Sequence, residues 1–134
     1  MKILFAASEC VPFVKTGGLA DVVGALPKEI RKNGEDVRVI LPLYKAIGAQ
    51  WREKMQHVLY FYVNLGWRHQ YVGVQKLEYE GITFYFIDNE HYFNRGGIYG
   101  FADDGERYAY YSKAVLAAMN YLELRPDVVS CHDW

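Results

Sequence analysis

Two short apolar runs on either side of a stretch with helical period constrain this chain more than any other feature. KILFAA at residues 2–7 and DVRVILP at residues 36–42 are the kind of compact, β-branched or apolar run expected of strands buried on both faces. Between them, from Leu19, the residues Val22, Val23, Leu26 and Ile30 recur at three- and four-residue steps. Lys28, Glu29, Arg31 and Lys32 fall on the other side, and Gly34 supplies a C-terminal stop. Pro27 inside this helix removes one backbone hydrogen bond and predicts a kink or a tightened turn. Strand, helix, strand requires a crossover, and crossovers between parallel strands are right-handed. The expected class is α/β, with a parallel sheet that begins in a βαβ unit.

The middle of the chain changes character. HVLYFYVN (57–64), WRHQYVGVQKLE (67–78) and ITFYFID (82–88) are aromatic-rich and strand-like, joined by turns at Gly66 and at Glu80-Gly81. They predict a β-meander or hairpin inserted between the parallel strands. Large rings on strands usually fill a core, and Tyr60, Tyr62, Tyr79 and Tyr85 are read that way rather than as sugar-stacking groups. Residues 89–105, NEHYFNRGGIYGFADDG, form a polar, glycine-rich loop long enough to line or cover a ligand cleft. A helix follows over residues 106–124 with Tyr110, Val115, Leu116, Ala118, Met119 and Leu122 on its apolar side, and residues 128–131 give a last strand.

Composition excludes several function classes. A chain of 134 residues, about half of them hydrophobic, suits one compact domain. Fifteen basic against sixteen acidic residues, with no block of like charge, argue against a nucleic-acid or membrane-surface role. No apolar run approaches the roughly 18 residues that span a bilayer, and the N-terminus lacks a signal-peptide pattern, so the expectation is a cytoplasmic protein. Cys10 and Cys131 are read as core thiols of a reducing compartment. The four histidines show no ligand spacing, and Asp103-Asp104, just before Gly105 and a helix, reads as a turn and N-cap rather than a metal site.

Ligands of open α/β sheets gather at the carboxyl ends of the strands. Two polar clusters fall there: Ser8-Glu9 with the loop KTGG (15–18) after the first strand, and His132-Asp133 after the last. They are expected to face one cleft. In KTGG the glycines let the backbone approach a ligand or adopt φ > 0, and the following helix start offers free N–H groups and partial positive charge. Lys15 adds a point charge, and a diphosphate suits all three. Neither G-x-G-x-x-G nor G-x-x-x-x-G-K-[ST] is present, so a standard dinucleotide fold or P-loop is not supported.

The run KTGGLADVVGALP, preceded by SEC and a proline, resembles the N-terminal signature of bacterial glycogen synthases and plant starch synthases. DVRVILP, FID, GGIYG, RPDVV and HDW follow in an order similar to that family across residues 1–134. The resemblance implies the N-terminal part of a GT-B fold, one Rossmann-like domain of a two-domain enzyme that transfers glucose from ADP-glucose to the end of an α-1,4-glucan without a metal or other cofactor. It assigns Asp21 and Asp133 to the catalytic set and Lys15, Gly17, Gly18, Tyr99 and Glu9 to substrate binding. With no transit-peptide pattern a bacterial source is expected, the family's second domain being unmatched predicts an isolated chain that is inactive, and a truncated sheet edge with unpaired backbone groups predicts self-association. A stand-alone glucan- or nucleotide-binding module and a non-functional fragment remain open beside it. So do plainer roles for Asp21 as a charge at the helix start, His132 as a buried hydrogen-bonded side chain and Tyr99 as loop packing.

Overall fold

The structure is a computed structural model that describes residues 1–132. Ten elements run β1 (Lys2–Ala7), α1 (Gly18–Lys32), β2 (Asp36–Pro42), α2 (Ala49–Arg52), β3 (Gln56–Leu65), β4 (Arg68–Tyr79), β5 (Ile82–Asp88), α3 (Glu90–Phe93), α4 (Asp104–Tyr121) and β6 (Val128–His132). The six strands form one sheet in the order β3-β4-β5-β2-β1-β6. β5, β2, β1 and β6 are parallel, while β3, β4 and β5 make the antiparallel meander. The tight turn between β4 and β5 places both Glu80 (φ 49°) and Gly81 (φ 79°) in the left-handed region, the geometry that suits a two-residue hairpin.

Side-chain alternation assigns the two faces. Phe13, from the loop after β1, meets Phe84 and Phe86 of β5 at ring distances of 4.9 and 5.2 Å on one face. On the other face, Tyr111 of α4 points its hydroxyl at the carbonyls of Ala7 and Ile40, at 3.0 and 2.6 Å. α1 and α4 therefore cover opposite faces, as right-handed crossovers demand when the chain moves from β1 towards β2 and later from β5 back to β6. The direction of winding reverses between β1 and β6. That reversal is a topological switch point, where open α/β sheets leave a crevice outside the carboxyl ends of the strands.

Several side chains lie elsewhere than periodicity implies. The buried stripe of α1 is Ala20, Val23, Gly24 and Pro27, whereas Val22 and Leu26 are exposed. Close approach of α1 to the loop below it selects small residues there; Leu19 and Ile30 pack partly buried against the core, and Val22 and Leu26 face outward. The helix runs unbroken through Pro27. α4 buries Arg107, Tyr108, Tyr110, Tyr111, Ala114, Val115 and Ala118, while Leu116 is exposed. Tyr85 is buried, but Tyr60 and Tyr62 are exposed, because α4 covers only one face of the β3–β4 ribbon, where Phe61 stacks on Tyr121 at 4.4 Å. Cys10 is a core thiol and Cys131 is not, since β6 is an edge strand and its side chains are largely open. Among the described residues no helix is long and apolar enough to cross a membrane.

Residues 89–105 are held from beneath by one buried cation. Arg107, fully buried, donates from Nε to the Tyr92 carbonyl (2.7 Å) and from Nη1 to the Ile98 carbonyl and Asp104 (both 2.8 Å). Its guanidinium also lies 4.7 Å from the Phe101 ring centre. The Asp103-Asp104 pair works differently from a simple cap. Asp103 makes no side-chain cap bond and instead pairs with Arg95 at 2.6 and 2.9 Å. Asp104 reaches back to the N–H groups of Gly100 and Phe101.

The contact between α1 and the loop after β1 is tight at one point. A Cβ on Gly24 lies 2.3 Å from Val11 Cγ2 and 3.1 Å from the Val11 carbonyl oxygen. Gly24→Ala is expected to push Val11 away and lower stability by about 1–3 kcal/mol, the usual cost of overpacking. Urea denaturation measures it, and a variant as stable as the parent contradicts the close approach.

Candidate functional site

β1 ends at Ala7, in register with His132 of β6, so the chain carrying Ser8 and Glu9 leaves the sheet beside His132 at the switch point. The chain leaving β1 does not run straight into α1. It closes a turn in which Cys10 and Val14 bridge, and it pins Phe13 among the rings of Trp51, Tyr79, Phe84 and Phe86. Val11 N–H then donates to the Ala20 carbonyl, tying this turn to the first turn of α1. Residues 15–18 are left as a short strap across the helix start.

Glu9 holds that strap in place. Its carboxylate, 2 % exposed, accepts from the Gly17 N–H at 3.0 Å, the Ala20 N–H at 3.2 Å and, more distantly, the Thr16 N–H at 3.4 Å. The Thr16 hydroxyl donates to its other oxygen, and the Tyr99 hydroxyl donates to the same atom at 2.9 Å. Ser8 Oγ completes the group at 2.5 Å from the Tyr99 hydroxyl. Burial opposes the charge on Glu9, but hydrogen bonds from Thr16, Tyr99 and the Gly17 backbone outweigh it and hold the carboxyl below the usual carboxylate range. Burial, together with the nearby Glu9 charge, pushes the Tyr99 phenol well above its ordinary value, so it stays a donor. Glu9 thus acts on the protein's own backbone, filling part of the anion-binding end of α1.

The rest of that end is open. Among the described residues no acceptor meets the N–H groups of Gly18 and Leu19. A Cβ on Gly17 or Gly18 meets nothing within 4 Å, so both positions face open space. Gly17 has φ −163°, an extended conformation open to any residue, and Gly18 is helical. The glycines therefore matter for the space they leave, not for left-handed backbone. Lys15 Nζ sits beside the opening, held by both oxygens of Asp21 at 2.9 and 2.8 Å. Both side chains are about half exposed, and exposed pairs of this kind are worth only ~0–1 kcal/mol. An incoming anion can take the ammonium from Asp21 at little cost.

The structure therefore brings together Glu9, Lys15, Gly17, Gly18, Asp21 and Tyr99. Asp133 lies outside the described residues. His132 is half-buried, stacks on Phe5 at 5.0 Å and meets Ser130 Oγ at 2.8 Å, which agrees with its plainer reading. Thr16 was missed by the sequence reading, because its partner Glu9 precedes it by seven residues and fits no capping pattern. As for metals, His91, Asp103 and Glu106 bring ligand-type atoms within 4.8 Å of one another. Asp103 is already bound to Arg95, and Glu106 to Tyr92 and Arg68, so these carboxylates are engaged.

Known proteins are similar to this chain over nearly its whole length. The starch synthase catalytic domain family matches residues 2–134. The chain is 57 % identical to the glycogen synthase of Anoxybacillus flavithermus and 55 % identical to that of Geobacillus stearothermophilus, in each case over all of this chain and 28 % of the relative. It spans between a quarter and a third of the length of the curated relatives it matches. Among solved structures, the catalytic domain of starch synthase IV from Arabidopsis thaliana, bound to ADP and acarbose, superimposes with a TM-score of 0.91 at 30 % identity. That superposition covers 99 % of this chain and 28 % of that one. Its sheet and its sequence together show that this chain belongs to the starch synthase catalytic domain family.

Proposed function

We propose that this chain forms the phosphate-facing side of the cleft in a glucosyltransferase that moves glucose from ADP-glucose to the end of an α-1,4-glucan. One observation carries this reading: at the start of α1, among the described residues, no acceptor meets the N–H groups of Gly18 and Leu19, and the ammonium of Lys15 in the adjoining strap is held only by the half-exposed Asp21. The names of the relatives and the ADP in the solved neighbour support the choice of sugar nucleotide and glucan.

In this reading the diphosphate of the donor lies against the first turn of α1. As the bond between the glucose and the diphosphate breaks, negative charge grows on the departing oxygen. Lys15 and the helix end are fixed donors that stabilise this charge without needing to reorganise. Asp21 holds Lys15 at the rim and yields it to the phosphates. Asp21 and Asp133 keep the roles near the reacting sugar that the resemblance implies. Glu9 and Tyr99 act indirectly, by fixing the strap that carries Lys15 and the two glycines. The remainder of the cleft belongs to the part of the relatives that this chain does not span.

Titration calorimetry tests the assignment. ADP-glucose is expected to bind the chain, and Lys15→Ala to weaken binding at least tenfold, or about 1.4 kcal/mol; undiminished binding by the variant overturns the phosphate site. The 134-residue chain by itself is expected to leave glycogen unextended. Incorporation of labelled glucose in proportion to its concentration contradicts that.

Glu9 adds a pH dependence. Its folded pKa is lowered, so its contribution to stability is complete above the unfolded value of about 4.3 and is lost as pH falls through the lower folded value. Glu9→Gln is expected to be less stable than the parent near neutrality and to show a shallower acid limb. Thermal melts between about pH 2 and 7 measure both, and parallel profiles contradict the role given to this carboxylate.

A further inference from the structure

Lys15 is the one cation of the KTGG strap, and in this structure an anion of the chain's own already holds it. Both oxygens of Asp21 accept from Nζ, at 2.9 and 2.8 Å. An ammonium has three N–H groups, so this carboxylate leaves at most one of them for anything else. Asp21 belongs to the first turn of α1, the turn whose Gly18 and Leu19 N–H groups meet no acceptor among the described residues. The contact therefore keeps the ammonium against that same turn.

A carboxylate paired with a ligand-binding lysine has one of two effects, and they are opposite in sign. It orients the ammonium towards the ligand, so that its removal weakens binding, or it competes with the ligand for the ammonium, so that its removal strengthens binding. The surroundings of Asp21 favour the second. A group that orients another must itself be fixed, as Glu9 is by donors from three parts of the chain. Among the described residues the Asp21 carboxylate has no partner besides Lys15, and the two side chains are 55 % and 51 % exposed. Held only by each other, they set no direction for a ligand; they neutralise one another. Between residues 15 and 21 Lys15 and Asp21 are the only charged side chains, so their charges cancel, and the buried Glu9 carboxylate beside the strap adds a negative charge.

We propose that Asp21 is a built-in competitor for the phosphate site, occupying Lys15 until a phosphate-bearing ligand displaces it and taking the ammonium back as that ligand leaves. This rests on the reading of the strap as a phosphate site and adds how the site is regulated. An ambient anion that makes few other contacts does not offset the separation of the pair. A nucleoside diphosphate does, because it also accepts from the first-turn N–H groups. The latch is weak by construction: an exposed pair shifts an equilibrium by no more than about fivefold, which suits a contact that opens and closes with every ligand. The exchange also makes the Asp21 carboxylate an open acceptor only while a phosphate holds Lys15.

Titration calorimetry with ADP and with ADP-glucose tests the proposal, in about 0.15 M salt, where a Debye length near 8 Å damps long-range repulsion. Asp21→Asn is expected to bind both ligands roughly three- to fivefold more tightly than the parent. Asp21→Ser is expected to give the same gain, and both variants to melt near the parent, since the side chain is exposed. In a Lys15→Ala background the same substitution is expected to change affinity by less than about twofold, the coupling that marks a shared contact. Unchanged or weaker binding by Asp21→Asn overturns the proposal and makes Asp21 an orienting group. A gain as large without Lys15 as with it also overturns it, because removal of a nearby negative charge then accounts for the effect. Binding by the parent that is lost with Lys15→Ala yet indifferent to Asp21→Asn leaves the phosphate site standing without the latch. Failure of both the parent and Asp21→Asn to bind either nucleotide sinks site and latch together, whereas binding by Asp21→Asn alone supports both.

Discussion

Glu9 leaves the end of β1 at 2 % exposure, and the donors that reach it come from three separate parts of the chain: the strap at Thr16 and Gly17, the first turn of α1 at Ala20, and the distant loop at Tyr99. A buried carboxylate without donors is costly, so the strap and the loop are stable in this arrangement only together. Tyr99 is in turn set by its neighbour Ile98, whose carbonyl accepts from both Arg107 and the Tyr108 hydroxyl. The site is thus a hydrogen-bonded bridge from α4 through Glu9 to α1, across the point where the sheet changes its direction of winding.

Two carboxylates near one helix start have opposite duties, and their surroundings decide which. Glu9 is buried and satisfied by five donors, so moving it strands several backbone groups at once. Asp21 is half exposed and holds a single ammonium that water solvates nearly as well. The first fixes the geometry and the second can be displaced. A helix end used wholly by Glu9 has nothing left for a phosphate, and one with no internal carboxylate leaves a glycine-rich strap unanchored. Sharing the N–H groups, with Gly17 and Ala20 turned inward to Glu9 and Gly18 and Leu19 left open, avoids both problems.

The α/β class, the parallel core and the inserted meander were legible because β1, β2 and β5 carry continuous apolar runs and the turn at Glu80-Gly81 has hairpin chemistry. The position of KTGG at a strand's carboxyl end was legible for the same reason. What periodicity missed depends on which neighbour covers a face. The close contact at Gly24 puts Ala20 and Gly24 inward and leaves Val22 outside, which no hydrophobic count can show. Tyr60 and Tyr62 alternate as core residues do, yet α4 reaches only the other side of their strand. Arg107 drew no attention in the sequence, and its burial is understandable only with the carbonyls of Tyr92 and Ile98 in place. The Glu9–Tyr99 bond joins residues ninety positions apart, so the sequence offers two candidates without the bond that joins them.

Sheet order explains why the strap and the exposed tyrosines of the β3–β4 ribbon lie towards one end of the sheet. Parallel strands put all their carboxyl ends together, and β5 is the last strand of that set on its side of β1. The antiparallel strand β4 continues past the end of β5, because Gly73 is already level with Asp88 and Tyr71 lies beyond it. The meander therefore extends the sheet beyond the rim of the crevice on the side away from β6, and on that extension neither α1 nor α4 lies against the Tyr60–Tyr71 face. A ribbon added to a Rossmann-like sheet at this position provides a wall whose outer surface is free to change without disturbing the core, since Phe61, Val63, Val72 and Val74 on its inner face are the residues that hold it to α4 and the sheet. The burden of folding thus rests on one face of the ribbon.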